Sequence, residues 1–331
     1  MPERLDALKH WLEAELAIRE YNLTPASSDA SFRRYFRVTH DSTSLIVMDA
    51  PPDKEDLRPF LTVAKLLFDA GLNVPEVIDM DLEQGYLLLG DLGSILYLDA
   101  LSDDTVERLY GDALGALAAI QACHPGAGVL PDYDHTLLMT EMALFRDWLV
   151  GTHLGITLDA GQSTMLAAAF DLLADNALAQ PQVLVHRDYH SRNLMVTGRN
   201  NPGILDFQDA VIGPVTYDLV SLLRDCYIQW PRVRVEDWAL GYQRLALQSG
   251  ILRAEHEDPQ QFLRWFDLMG IQRHLKAAGI FARLNHRDGK PGYLGDIPRT
   301  LGYVVEVSGR YPELVELGEF VAREVLGNLD A

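Results

Sequence analysis

The stretch Val185-His186-Arg187-Asp188-Tyr189-His190-Ser191-Arg192-Asn193 leads into an apolar run at 194–196, the turn formers Asn200-Asn201-Pro202-Gly203, and then Ile204-Leu205-Asp206-Phe207-Gln208-Asp209. Apolar runs on either side of turn residues read as a hairpin whose polar residues collect at its rim. Phosphoryl transfer from a nucleotide needs a carboxylate to receive the acceptor's hydroxyl proton and oxygen ligands to hold Mg²⁺ on the phosphates. Asp188 reads as the base, Asn193 as the first metal ligand and Asp206 as the second, returned to the same point by the hairpin. His186 and Arg187 read as braces for the loop rather than groups that touch substrate. The alternative is that Asp188 and Asn193 are turn residues and Asp206 a helix cap. Agreement of two motif halves with the hairpin between them weighs against it.

Composition sets the frame around that hairpin. The chain has 331 residues, 48% of them apolar, which suits two domains or the two lobes of one enzyme. Lys plus Arg number 28 against 48 Asp plus Glu, a net charge of −20, which argues against nucleic acid or an anionic membrane as partner. An acidic protein that handles an anionic nucleotide must rely on Mg²⁺ and a few local cations. Cys123 and Cys226 have no metal-site spacing and fit a reducing compartment. The mixed charges of Met1-Pro2-Glu3-Arg4-Leu5-Asp6 do not read as a secretory signal, and no apolar run reaches membrane-spanning length. A cytoplasmic location is the expectation.

Residues 1–92 read as a small nucleotide-binding lobe. Leu5, Leu8, Leu12 and Leu16 predict an amphipathic helix over 3–19. Strands follow at about 22–25, 32–39 and 44–50, then a helix after Pro51-Pro52 with Leu57, Phe60, Leu61, Ala64, Leu67 and Phe68 on its apolar face, stopped by Gly71. A hairpin over 74–80 and 85–89 completes a largely antiparallel five-stranded sheet. The loop Ser27, Ser28, Asp29, Ala30, Ser31 has side chains small enough for backbone N–H groups to approach phosphate, or is an ordinary hairpin turn. Gly90-Asp91-Leu92-Gly93 reads as the hinge, with backbone groups of Gly90 and Leu92 available to adenine. Residues 93–331 read as a helical lobe carrying the catalytic loop and the acceptor site. Its helices are expected near 94–101, 103–122, 136–153, 162–179, 216–228, 234–249, 259–285 and 311–328. Acceptor candidates by position are Tyr189 and His190 beside the base, Gln208 and Asp209 after the metal ligand, and Glu141, Arg146 and Asp147 on a preceding helix.

The segments 185–193 and Leu205-Asp206-Phe207-Gln208-Asp209-Ala210-Val211-Ile212-Gly213-Pro214-Val215-Thr216-Tyr217-Asp218-Leu219 resemble the aminoglycoside phosphotransferase group of small-molecule kinases, and the likeness spans essentially the whole chain. It implies an α+β, protein-kinase-like two-lobed fold, ATP and Mg²⁺ as donor and cofactor, and Asp218 as a structural residue bonded to the backbone of the catalytic loop. Phe32-Arg33-Arg34-Tyr35-Phe36-Arg37-Val38 and Met48-Asp49-Ala50-Pro51-Pro52 look most like the members that phosphorylate the anomeric hydroxyl of an amino sugar in peptidoglycan recycling and hand the product to a uridylyltransferase. One position departs from the pattern: the third-strand lysine that holds the α- and β-phosphates is replaced by Met48. Arg33, Arg34 or Lys54 is expected to supply the missing charge at the ATP site. A kinase for aminoglycosides or other small alcohols, and a nucleotide-binding pseudokinase, are the alternatives. A protein kinase is disfavoured, because only about ten residues separate Asp206 from the helix near Thr216, too few for a phosphorylatable activation loop.

Overall fold

The computed structural model describes residues 2–28, 32–41 and 43–329, so Asp29, Ala30 and Ser31 of the small-residue loop lie outside the described residues. The chain divides into two compact units, one made of residues 1–95 and 195–209, the other of 96–194 and 210–331. Against the expected division at residue 92, the first segment runs to residue 95, and residues 195–209, which carry Asp206, group with the N-terminal unit.

In the first unit, helix α1 (Pro2–His10) precedes strands β1 (Asn22–Ser28), β2 (Arg34–His40) and β3 (Thr43–Asp49), helix α2 (Arg58–Asp69), and strands β4 (Val77–Asp81) and β5 (Tyr86–Gly90). The strands form one sheet in the order β1-β2-β3-β5-β4, every neighbouring pair antiparallel. Period-two alternation gives the sheet two different faces. Val38, Val47, Tyr86 and Leu88 turn to one of them and are covered by Leu8, Trp11 and Leu12. Each such side chain contributes on the order of 1.5–3 kcal/mol when buried. The helix expected over 3–19 is shorter: α-helical bonding ends at His10 and the chain widens, Leu16 N–H donating to Trp11 O at 3.1 Å. Helix α2 buries Phe60, Val63, Ala64 and Leu67 and sets Phe60 tilted against Phe207 with ring centroids 4.9 Å apart. Phe68, expected on that apolar face, is 53% exposed.

The second unit is mostly helical, and its axis is the helix Pro259–Asp288. Against it pack the helices His135–Leu144, Ala160–Leu178, Tyr217–Leu223 and Ile297–Ser308. The last of these is absent from the sequence reading. Pro298 and Gly302 look like breakers, yet proline in the first turn of a helix gives up only an N–H that has no partner there. The short strands Gln182–Val185 and Val211–Pro214 pair antiparallel and frame the catalytic segment. Gly279 permits the closest helix crossing, since a Cβ there would enter the backbone of Leu144 and Phe145. Gly279→Ala is therefore expected to cost about 1–3 kcal/mol by overpacking. Gly115→Ala, where a Cβ meets nothing within 4 Å, should be neutral or stabilising. Equal melting temperatures for the two variants would contradict this packing.

Candidate active site

In the second unit the strand Gln182–Val185 delivers the chain to His186, and there the backbone turns sharply: Arg187 is left-handed at φ 75°. A non-glycine residue stays in that region only where its surroundings over-determine it. Asp218 supplies that constraint, accepting from His186 N–H at 2.6 Å and Arg187 N–H at 3.0 Å. Burial pushes the Asp218 carboxyl up to about 7 against these bonds. Farther along, Asp225 accepts from Ser191 N–H at 2.9 Å, and Tyr189 is wholly buried with its hydroxyl donating to Ala113 O at 2.8 Å. The expectation that Tyr189 faces the acceptor is thus corrected, because its ring anchors the loop to the core. Asp218→Asn keeps one acceptor but sets an NH₂ group against a backbone donor. A loss of about 1–3 kcal/mol is expected together with lowered activity. Unchanged stability in chemical denaturation would remove Asp218 from this role.

Asp188 lies on the loop held in this way. Its own N–H donates to His186 Nδ1 at 3.3 Å, and its carbonyl accepts from Asn193 Nδ2 at 3.0 Å. That bond ties the Asn193 amide to the backbone of the catalytic loop, and the same Nδ2 lies 3.5 Å from His190 Nε2. Burial alone would push the Asp188 carboxyl up, but the positive fields of Lys276, His190, Arg273 and His186 prevail and hold it below the ordinary carboxylate range. His190 remains beside the base with its ring 5.4 Å from that of Tyr227, and burial pushes its pKa down.

Glu141 and Arg146 part company. Glu141 is 5% exposed and enclosed by Arg187, Tyr133 and Lys276, the last at 2.9 Å. It is a brace for Arg187, not an acceptor ligand. Arg146 lies on the surface, paired at 2.7 Å with its neighbour Asp147. Lys276, Arg273 and Asp225 were missed by sequence reasoning. They lie on or against the helix segment Gln272-Arg273-His274-Leu275-Lys276, polar residues buried among Phe266, Met269 and Phe281, a burial that spacing alone does not reveal.

In the first unit, Asp206 is also left-handed, at φ 62°, and accepts from Gln208 Nε2 at 2.7 Å. Gln208 therefore positions this carboxylate, while Asp209 beside it is exposed. Arg33 stands 4.0 Å from Asp206 and 3.8 Å from Glu55, a residue the sequence reading did not single out. Arg34 turns the other way and bonds Asp49 on the α1 face, where Arg4 shares the same buried carboxylate at 3.0 Å. Register explains the split: Arg34 is opposite Asp49 and Tyr35 opposite Met48, so Arg33 shares the Met48 face of the sheet. Met48 is completely buried there. Lys54 pairs at 3.6 Å with its neighbour Asp53, both exposed. Backbone pairing at the end of β1 sets Ser27 opposite Tyr35 and Ser28 opposite Arg34. The hinge expectation narrows at one atom: Gly90 N–H donates to Glu76 O at 2.8 Å and is not open to adenine. Asp91 holds Arg37 at 2.7 Å and Gly93 N–H at 2.9 Å, and the Gly90 carbonyl and Leu92 backbone stay as the adenine candidates.

The pattern of the phosphotransferase enzyme family matches residues 22–288. The chain belongs to that family. It is 50% identical over 330 residues to an N-acetylmuramate/N-acetylglucosamine kinase of Pseudomonas aeruginosa, covering 96% of each chain. A kinase of the same name from Pseudomonas putida is 49% identical over 335 residues, covering 97% of this chain and 98% of that protein. Among solved structures, a Plasmodium vivax ethanolamine kinase superposes with a TM-score of 0.65 at 11% identity, covering 93% of this chain and 88% of the other. ADP-bound aminoglycoside phosphotransferase APH(2'')-Ib superposes with a TM-score of 0.60 at 15% identity, covering 90% and 97%. The fold is that of the protein-kinase-like phosphotransferases, and the chain is a phosphotransferase. Among the described residues no helix is long and apolar enough to cross a membrane.

Proposed function

We propose that this phosphotransferase moves the γ-phosphoryl group of ATP onto the anomeric C1 hydroxyl of N-acetylmuramate and N-acetylglucosamine. The observation that carries the choice of acceptor is identity of about one half, over nearly the full length, to kinases bearing that name. Asp188, kept ionised by the surrounding cations, receives the proton of the C1 hydroxyl. The freed oxygen forms the new bond to the γ-phosphorus as the bond to the bridging oxygen breaks and ADP leaves.

Mg²⁺ fits the donor chemistry, because the Asp206 carboxylate and the Asn193 amide oxygen are hard ligands, and this ion takes few protein ligands besides water and phosphate. When bound, it would neutralise charge on the phosphate oxygens. Arg33 supplies the cation that the third strand lacks, with Leu92 backbone meeting the adenine. A sugar 1-phosphate is the substrate form a uridylyltransferase activates, which fits peptidoglycan recycling in the cytoplasm. The test is ADP release with N-acetylmuramate, N-acetylglucosamine and kanamycin offered separately. Turnover with the two sugars and none with kanamycin supports the reading; turnover with kanamycin alone replaces it with an antibiotic kinase, and ATP binding without any turnover with a pseudokinase.

A further inference from the structure

The arginines of the second unit mostly meet carboxylates. Arg187 is held by Glu141, Arg224 by Glu306, Arg232 by Asp267 and Arg234 by Asp103. Arg192 differs, although it stands on the catalytic loop itself, four residues after Asp188 and next to Asn193. Its side chain is exposed, and among the described residues its guanidinium meets aromatic faces and no acid. It lies over the Tyr227 ring at 4.7 Å and the Tyr293 ring at 5.4 Å. Both rings are fixed from behind by buried Phe281, stacked on Tyr293 at 5.6 Å and tilted on Tyr227 at 6.3 Å. Tyr227 also packs edge-on against His190 at 5.4 Å, and Asn193 Nδ2 lies 3.5 Å from His190 Nε2, so one continuous set of contacts runs from the base to Arg192.

A guanidinium lying over aromatic rings carries its N–H donors in its own plane, and a planar fork not taken up by an acid suits a carboxylate held in two parallel hydrogen bonds. Stacking also removes much of the rotamer freedom such a bond would otherwise cost. The two sugars differ in one group: N-acetylmuramate carries a lactyl ether on C3, two ring carbons from the reacting C1, and that ether ends in a carboxylate. We propose that Arg192 is the specificity residue that clamps this carboxylate, and so separates N-acetylmuramate from N-acetylglucosamine. This rests on the acceptor reading above and adds the residue that tells the two acceptors apart. In a chain of net charge −20 an anionic substituent is otherwise unwelcome, which gives one committed cation leverage over selectivity.

The test is the ratio of kcat/KM for N-acetylmuramate to that for N-acetylglucosamine, in the unmutated chain and in Arg192→Gln. The ratio is expected to fall about 10- to 100-fold, mainly through KM for N-acetylmuramate. A second substrate separates charge from shape: N-acetylmuramate with its carboxylate converted to the methylamide should be discriminated against by the unmutated chain and scarcely by the variant. An unchanged ratio overturns the clamp while leaving the kinase reading in place. A raised KM for ATP with the ratio unchanged also overturns it, because the cation then serves a phosphate. Failure of the unmutated chain to phosphorylate either sugar removes the underlying reading and the clamp with it.

Discussion

Asp188→Asn is expected to lower kcat by about 10²- to 10⁴-fold, the usual contribution of a positioned general base, while Mg-ATP binding stays within a few-fold. The amide keeps the size of the side chain and cannot take a proton. The loop itself is held through other atoms, since Asp218 and Asp225 anchor it by backbone N–H groups and Asn193 bonds the Asp188 carbonyl rather than its carboxylate. Asp206→Ala should give the opposite pattern, with metal-dependent ATP affinity lost because a charged hard ligand is gone. Calorimetric titration with Mg-ATP separates the two. Asp188→Asn with activity within a few-fold of the unmutated chain would remove Asp188 from the chemistry.

Arg33→Ala is expected to raise KM for ATP and cut kcat/KM for ATP by about 10²-fold, as loss of a preorganised charge on a transferring phosphoryl group does. Arg34→Ala should leave the kinetics near normal and lose stability instead, by about 1–3 kcal/mol, because the buried Asp49 carboxylate then keeps Arg4 as its one arginine among the described residues. The two residues are adjacent and identical in type, so contrasting outcomes report the sheet face each one occupies. Native kinetics in both variants would refute Arg33 as the stand-in for the missing lysine.

How much of this was readable in advance depended on whether the deciding partner was local. The antiparallel sheet was legible because the strand at 44–50 is a local apolar run ended by Pro51-Pro52, and the hairpin because its turn residues and motif halves lie within one short stretch. Burial of charged helix residues was not. Glu141 and Arg146 have similar sequence settings, yet Lys276 and Arg187 enclose one while the other pairs on the surface with Asp147. The choice between Arg33 and Arg34 likewise needed the register that sets Arg34 opposite Asp49. The Gly90 N–H looked open to adenine until β5 brought it to Glu76.

The most direct measurement is the ³¹P and ¹³C NMR spectrum of the product formed from ATP and N-acetylglucosamine. The phosphorus should couple to the anomeric C1, and a sugar reduced at C1 to the alditol should give no product. Phosphate found on C6, or turnover of the C1-reduced sugar, would contradict transfer to the anomeric hydroxyl.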